Sequence, residues 1–332
     1  MKLGSAIDLS IQLGRKKLQR CLFAWYDAHR RDLPWRENRD PYRVWLSEIM
    51  LQQTRVAAVI DHYDKFLRRF PTIEKLAAAR EASVLAAWSG LGYYRRARML
   101  HAAAKLIVRE HGGRFPETAE ALRALPGIGR YTSAAIASIA FDQAAAVVDG
   151  NVERVLQRLS GRRLAVDELW RAANDLLDKN RPGEFNQAMM ELGAVVCTPR
   201  LPACLKCPVL ELCTTRGELA ARAKSAPQKK REIHYALHCR KAGSREVFLV
   251  QRPQDASLMA GMWELPELDG KNRVANPFLT LRHSITVTNY AVHVWRESAS
   301  RNVKGKWVPV GRLEQFALTG LARKILRTAE AI

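Results

Sequence analysis

Acid is what this 332-residue chain has too little of: 33 Asp and Glu stand against 54 Lys and Arg, a formal charge of +21 at pH 7. Such a surplus favours a polyanionic partner, and nucleic acid is the commonest one. Long apolar runs are also missing. No stretch reaches the roughly 20 apolar residues a membrane-spanning helix needs, so a span is excluded and no membrane partner is expected. Met1 to Arg20 shows neither an apolar core nor a small-residue cleavage site, so no secretory signal is read there and the expected location is cytoplasmic. Cysteine is sparse, six in all, and in that compartment structural disulfides are disfavoured. Internal repeats and low-complexity segments are absent. The length suits two domains with adequate cores.

What is present centres on Leu122 to Arg154. Thr118 to Leu125 reads as a short helix with Thr118 as its N-cap. Pro126, Gly127 and Gly129 forbid its continuation, because proline clashes with the preceding turn and glycine takes backbone angles others avoid. A second helix opens near Arg130, with Ala135, Ile136 and Ile139 at helical spacing. Backbone N–H groups at its start make an anion site suited to a DNA phosphate, with Gly127, Gly129 and Arg130 around it. An ordinary αα-hairpin with a glycine turn fits the same residues. Asp149 then follows the apolar run Ala144 to Val148 and precedes a helix with Val152, Val155, Leu156 and Leu159 on one face. As a plain N-cap it accepts hydrogen bonds from the first turn. Held in this way, the carboxylate is expected to stay ionised and can face a developing cation.

Hairpin, spacing and aspartate together resemble the helix-hairpin-helix DNA glycosylase superfamily, in which such an aspartate is catalytic. A second carboxylate narrows the resemblance. Asp40-Pro41 marks a helix start, aspartate capping and proline at the first helical position. The helix is expected to run from Tyr42 to about Arg55, with Glu48 on its apolar stripe beside Val44 and Trp45. A carboxylate there is costly unless paired or neutralised, so its pKa should rise. On spacing alone, Glu48 is read as the ion-pair partner of an arginine in the 30–36 loop. The stretch Trp45 to Thr54 (WLSEIMLQQT), however, closely resembles the adenine DNA glycosylase (MutY) branch. There the glutamate at this position is the general acid that protonates departing adenine.

That resemblance implies further roles. Tyr131 sits beside the two carboxylates, and Arg31, Leu33, Trp35, Arg36, Val56 and Gln187 surround the base. Tyr93, in the glycine-flanked and arginine-rich Ser89 to Arg98, intercalates beside the lesion base, and Gln53 fills the vacated stack. From the residues alone, that segment equally reads as a helix connection with core aromatics. Bifunctional superfamily members carry a lysine where Tyr131 stands, so this chain is expected to cut the base from the sugar but not the strand.

Four cysteines lie close together: Cys197, Cys204, Cys207 and Cys213, spaced C-x6-C-x2-C-x5-C. Ligand chemistry leaves zinc and iron–sulfur open, since both take four thiolates. Spacing and place resemble the 4Fe-4S cluster of the endonuclease III and MutY families, which implies a structural cluster clamping a basic loop (Arg200, Lys206). Cys21 and Cys239 lack any such arrangement and are expected to be buried thiols. Beyond a basic linker the pattern becomes strand-like at Ile233 to His238, Glu246 to Gln251, Ser284 to His293 and Trp307 to Val310, with two short helical pieces after Leu313. Val250 to Pro253 and Leu258 to Pro266 resemble the Nudix-like lesion-recognition domain of MutY. The acidic box for diphosphate hydrolysis is missing, so no such activity is expected. Where the family often has Phe-Ser-His, this chain has Ile285-Thr286-Val287, which leaves Thr286, His283 and Ser284 as candidate readers of 8-oxoguanine.

The expected architecture is a mainly α, two-lobed helix-hairpin-helix glycosylase core over 1–221 with an iron–sulfur loop at 197–213, a linker at 222–232, and an α+β Nudix-like domain over 233–332. The expected function is base-excision removal of adenine mispaired with 8-oxoguanine or guanine in double-stranded DNA, by a monomer at the bacterial nucleoid. Two alternatives remain: an endonuclease III-like glycosylase/lyase for oxidised pyrimidines, and a non-catalytic lesion-binding protein.

Overall fold

The computed structural model describes residues 6–220, 229–242, 244–269, 276–285, 288–297 and 303–331. Its helices up to the cysteine loop are α1 (Ala6–His29), α2 (Pro41–Leu51), α3 (Val56–Arg69), α4 (Ile73–Ala77), α5 (Glu81–Trp88), α6 (Arg95–His111), α7 (Ala119–Arg123), α8 (Arg130–Phe141), α9 (Gly150–Ser160), α10 (Val166–Leu176) and α11 (Pro182–Val195). Strands follow: β1 (Lys229–Ala236), β2 (Cys239–Ala242), β3 (Ser244–Gln251), β4 (Trp263–Glu264), β5 (Leu279–Ile285), β6 (Thr288–Trp295) and β7 (Lys306–Pro309), then α12 (Gly320–Thr328). A helical core followed by an α+β region is what the sequence led us to expect. No helix among the described residues is long and apolar enough to cross a membrane. Packing divides the chain into two compact units, 1–60 with 102–222 and 61–101 with 223–332.

In the first unit, Leu18, Leu22 and Tyr26 make one buried stripe of α1, because residues four apart share a helix face. They pack in a core with Leu169, Ala173 and Leu176 of α10 and Phe185, Met189 and Leu192 of α11. Leu22 is fully buried, so Leu22→Ala should cost about 2–5 kcal/mol. α2 is capped as expected: the Asp40 carboxylate accepts from the Arg43 amide at 2.9 Å, with proline next. It ends at Leu51 rather than near Arg55. Gln53 enters the left-handed region (φ 56°), which stops a helix, and α3 restarts at Val56. Asn186 of α11 links three segments. Its amide nitrogen donates to Ser138 Oγ (2.9 Å) and Ala145 O (2.8 Å), and its oxygen accepts from the Val147 amide (3.2 Å). The stretch leading to Asp149 is thereby fixed against α8 and α11. α11 approaches the start of α9 closely because residue 193 is glycine: a Cβ there would lie 2.6 Å from the Cβ of Asn151.

In the second unit, β1 pairs parallel with β6, and β5 lies antiparallel on the other side of β6. The stretch expected as one strand over Ser284 to His293 is instead two, β5 and β6, paired from Ile285↔Thr288 to Leu279↔Val294. A second sheet runs β2-β3-β4, with β7 also on β3. One face of α12 (Leu321, Ala322, Ile325, Leu326) covers Val247, Leu249, Val292 and Val294. In residues 61–101 of this unit, Phe66 meets Trp88 edge-on at 6.0 Å.

Candidate active site

Local rules bring the first carboxylate into position. Asp149 is the N-cap of α9: Oδ1 accepts from the amides of Asn151 (2.9 Å) and Val152 (2.7 Å), and Oδ2 from the Asn151 side chain (2.9 Å). Burial outweighs these donors, so its pKa lies above the ordinary 3.8. The capping donors and the desolvation therefore act on it in opposite senses. Arg154, one turn on, donates to Gly150 O (3.0 Å) and Asn151 Oδ1 (2.8 Å), which fixes the asparagine that holds Asp149.

Glu48 lies on α2 with 7% of its surface exposed. Burial is the main cause of its pKa rising to about 7, the charge of Asp149 adds to it, and Tyr131 and Arg36 oppose it. The Tyr131 phenol donates to Glu48 Oε2 at 2.7 Å and lies 3.2 Å from Met190 Sδ. Burial, then the charges of Glu48 and Asp149, holds that phenol well above its usual range, so it stays a donor. Glu48, Asp149 and Tyr131 therefore form one electrostatic cluster: one carboxyl that keeps its proton near neutrality, and one carboxylate with three donors that ionises first.

Arginines of the 30–36 loop do pair with a buried glutamate, but it is Glu191, not Glu48. Arg31 grips both of its oxygens (2.6 and 2.8 Å) and adds its amide (3.2 Å), while Arg36 donates to Oε2 at 2.8 Å. Glu191 is 1% exposed. Burial pushes its pKa up, and the arginines overcome this to hold it at about 2. Sequence reasoning missed Glu191. The signal was available, an acid among Ala188, Met189 and Leu192 on α11. Leu33 and Trp35 of the same loop are buried. Gln187, half-buried, accepts from the Tyr26 phenol at 3.4 Å. Val56 is half-buried at the start of α3.

In the hairpin, Gly127 takes a left-handed φ of 75° and Gly129 is the N-cap of α8 without a side chain to offer it. The first-turn amides of α8 therefore have no side-chain cap, as an anion site requires. Arg130 is exposed, its guanidinium 3.9 Å from the ring centre of Trp170. Gln53 is exposed in the first unit. Tyr93, in the second, is 49% exposed with a left-handed φ of 46°. His283 and Ser284 are neighbours in β5 and so point to opposite faces. His283 is half-buried, and burial lowers its pKa. Ser284 Oγ donates to Asn289 Oδ1 at 2.5 Å. Thr286 lies outside the described residues.

The four clustered cysteines all carry free, partly buried thiols. Burial, augmented by Cys197, Cys213 and Cys204, pushes the Cys207 thiol up to about 11. The four sulfurs are thus close enough to act on one another. Among the described residues they do not converge on a single-ion position. Arg158, 5% exposed, points at the Cys197 sulfur (3.2 Å) and bonds Thr198 O (2.8 Å) and Pro199 O (3.2 Å). A buried guanidinium needs an anion nearby, and a metal-bound thiolate provides one, so this donor set fits a thiolate-held cluster. Arg154 Nε also donates to Cys197 O at 2.7 Å, which ties the loop to α9.

Fold and site together define a helix-hairpin-helix protein of the HhH-GPD superfamily, and the model of that superfamily of base excision DNA repair proteins matches residues 46–174. An adenine DNA glycosylase of Mus musculus is 42% identical over 307 residues, 74% of this chain and 59% of the mouse protein. One of Schizosaccharomyces pombe is 33% identical over 327 residues, 78% of this chain and 70% of its own. A solved thermostable thymine-DNA glycosylase is 32% identical with a TM-score of 0.59, over 62% of this chain and 98% of its own. The chain belongs to the adenine DNA glycosylase family. It spans about three fifths of the length of the mouse relative.

Proposed function

We propose that this protein releases adenine mispaired with 8-oxoguanine or guanine in double-stranded DNA, by acid-assisted hydrolysis of the N-glycosidic bond. The observation that carries the reading is Glu48: a buried carboxyl with a pKa of about 7, bonded to Tyr131 and within the field of Asp149. The adenine must first leave the stack, since the bond is out of reach within it. Glu48 then donates its proton to N7 of the base and improves the leaving group. Asp149 ionises ahead of Glu48 and stabilises the cationic sugar as the bond breaks, which leaves water to complete the hydrolysis. Tyr131 holds Glu48 in place and is too weak an acid to act as a nucleophile at neutral pH. Arg31, Leu33, Trp35, Arg36, Val56 and Gln187 surround the base, Gln53 fills the gap it leaves, and Tyr93 intercalates. Gly127, Gly129 and Arg130 hold a phosphate.

Cys197, Cys204, Cys207 and Cys213 hold a 4Fe-4S cluster. When bound, it supplies four-point structural cross-linking of the loop, and Arg158 offsets its thiolate charge. The domain order is 1–221 for catalysis, 222–232 as linker and 233–332 as a Nudix-like reader of the opposite base, using Ser284 or His283 with Thr286. The protein acts as a monomer on nucleoid DNA in a bacterial cytoplasm. Base release from duplexes holding adenine opposite 8-oxoguanine, guanine or cytosine tests the reading, beside thymine opposite guanine and an oxidised pyrimidine. Adenine release opposite 8-oxoguanine and guanine, with none opposite cytosine, is expected. Release of the pyrimidines alone would refute it.

A further inference from the structure

The loop that carries Tyr93 is held at both stems by one carbonyl. The hydroxyls of Ser89, just after α5, and Tyr94, just before α6, both donate to Leu318 O at 2.9 Å. A carbonyl oxygen has two lone pairs, so these two donors saturate it. All three residues are buried, Ser89 and Tyr94 at 4% exposed and Leu318 at 1%. Between the stems the backbone is left-handed at Gly90 (φ 112°), Gly92 (φ 70°) and Tyr93 (φ 46°). A tyrosine resists that region, so its surroundings must hold it there. The Trp88 indole donates to Gly92 O (3.1 Å), and Arg96 donates to Leu91 O (3.1 Å) and Gly92 O (3.2 Å). The phenol ring itself is left half in solvent.

The seat for these bonds belongs to the C-terminal α+β region and is itself fixed. Trp263 brackets Leu318: its amide donates to Ala317 O, and its carbonyl accepts from the Thr319 amide, each at 2.9 Å. Thr319 also caps α12 through its hydroxyl, at 3.1 Å from the Ala322 amide. Arg98 Nη2, three residues into α6, adds a tie to Ala260 O at 2.5 Å.

We propose that Ser89 and Tyr94 are positioning residues through which the C-terminal region, by the Leu318 carbonyl, aims Tyr93 into the DNA. The C-terminal region then contributes to lesion recognition in two ways: by what it touches, and by how it sets a wedge more than two hundred residues away in sequence. This rests on the reading of Tyr93 as the intercalating side chain.

A double-mutant cycle in the full chain tests it. The probe is a duplex with non-hydrolysable 2′-fluoroadenosine opposite 8-oxoguanine and 2-aminopurine as the neighbouring base, whose emission reports insertion into the stack. Tyr93→Ala should abolish the emission change and weaken the preference for this duplex over a matched one. Tyr94→Phe keeps the ring and removes the hydroxyl. It should reduce both, the preference by about tenfold at most, the weight of one hydrogen bond. In the Tyr93→Ala background it should add nothing. Ser89→Ala should behave as Tyr94→Phe does, and Ser89→Thr, which restores a hydroxyl, should recover the signal; this pair serves should Tyr94→Phe fail to fold. If Tyr93→Ala is damaging while Tyr94→Phe is silent or simply additive, the positioning role is overturned and the wedge survives. If Tyr93→Ala changes nothing, the wedge reading falls and the positioning role with it.

Discussion

Replacing Glu48 with glutamine should abolish base release and, at the same time, make the protein more stable in mild alkali. The folded chain holds the Glu48 proton more tightly than the unfolded chain, at about 7 against the ordinary 4.5. Acid therefore favours the fold. This contribution is complete below about pH 4.5 and is lost as pH rises through about 7. At about 1.4 kcal/mol for each pH unit, ionising Glu48 in the folded state costs roughly 3 kcal/mol by pH 8.5. Its side chain is nearly all buried, so solvent relieves little of this. Glutamine has similar volume and can still accept from the Tyr131 phenol, but carries no charge to desolvate or to face Asp149. For a unit of this size, roughly 3 kcal/mol is about 6 to 12 °C in melting temperature. Calorimetric melts of both proteins between pH 5 and 8.5 provide the assay. The variant's advantage should be under about 1 kcal/mol at pH 5, rise steeply to pH 7 and level off by pH 8.5. An advantage that does not change with pH, or a less stable variant at pH 8.5, refutes the premise that Glu48 is held protonated by burial.

Tyr131→Phe removes the bond that favours ionised Glu48, so the Glu48 pKa should rise from about 7 by one to two pH units. The alkaline fall in the pH–rate profile of adenine release should move up accordingly, and an unmoved limb would count against the bond's role. Arg36→Leu strips one donor from a glutamate that is 1% exposed and should cost on the order of 2 to 3 kcal/mol, read from denaturant melts near neutral pH. Exposed Arg39→Leu should cost less than 1 kcal/mol by the same measurement. Borohydride reduction during turnover should trap no covalent DNA complex, because a phenol forms no imine and no lysine stands at position 131. Abundant trapping, with strand cleavage keeping pace with base release, would show that a lysine from elsewhere reaches the sugar.

What was legible in the sequence was local. Asp40 with Pro41, Thr118 and Asp149 were read as helix starts because a cap needs only its own next three residues, and all three cap helices here. The burial of Glu48 was legible from one apolar stripe. The partner of the 30–36 arginines was not legible, because it depends on which buried acid that loop meets. Glu191 is 160 residues from Arg31, and only the approach of α11 to that loop decides it. The surroundings of Asp149 divide in the same way: its donors lie next to it in sequence, whereas the burial that outweighs them in raising its pKa is set by the folded chain. The β5–β6 pair shows the opposite failure. Alternation in a strand puts His283 and Ser284 on opposite faces, but reading Ser284 to His293 as one strand hid the antiparallel pairing of its two parts. The packing of residues 61–101 with the C-terminal region was the least legible feature. Nothing in Ser89 or Tyr94 names its acceptor, which is a backbone carbonyl and so independent of the side chain at position 318. A contact of that kind leaves no pattern in composition or spacing, and only the folded chain reveals it.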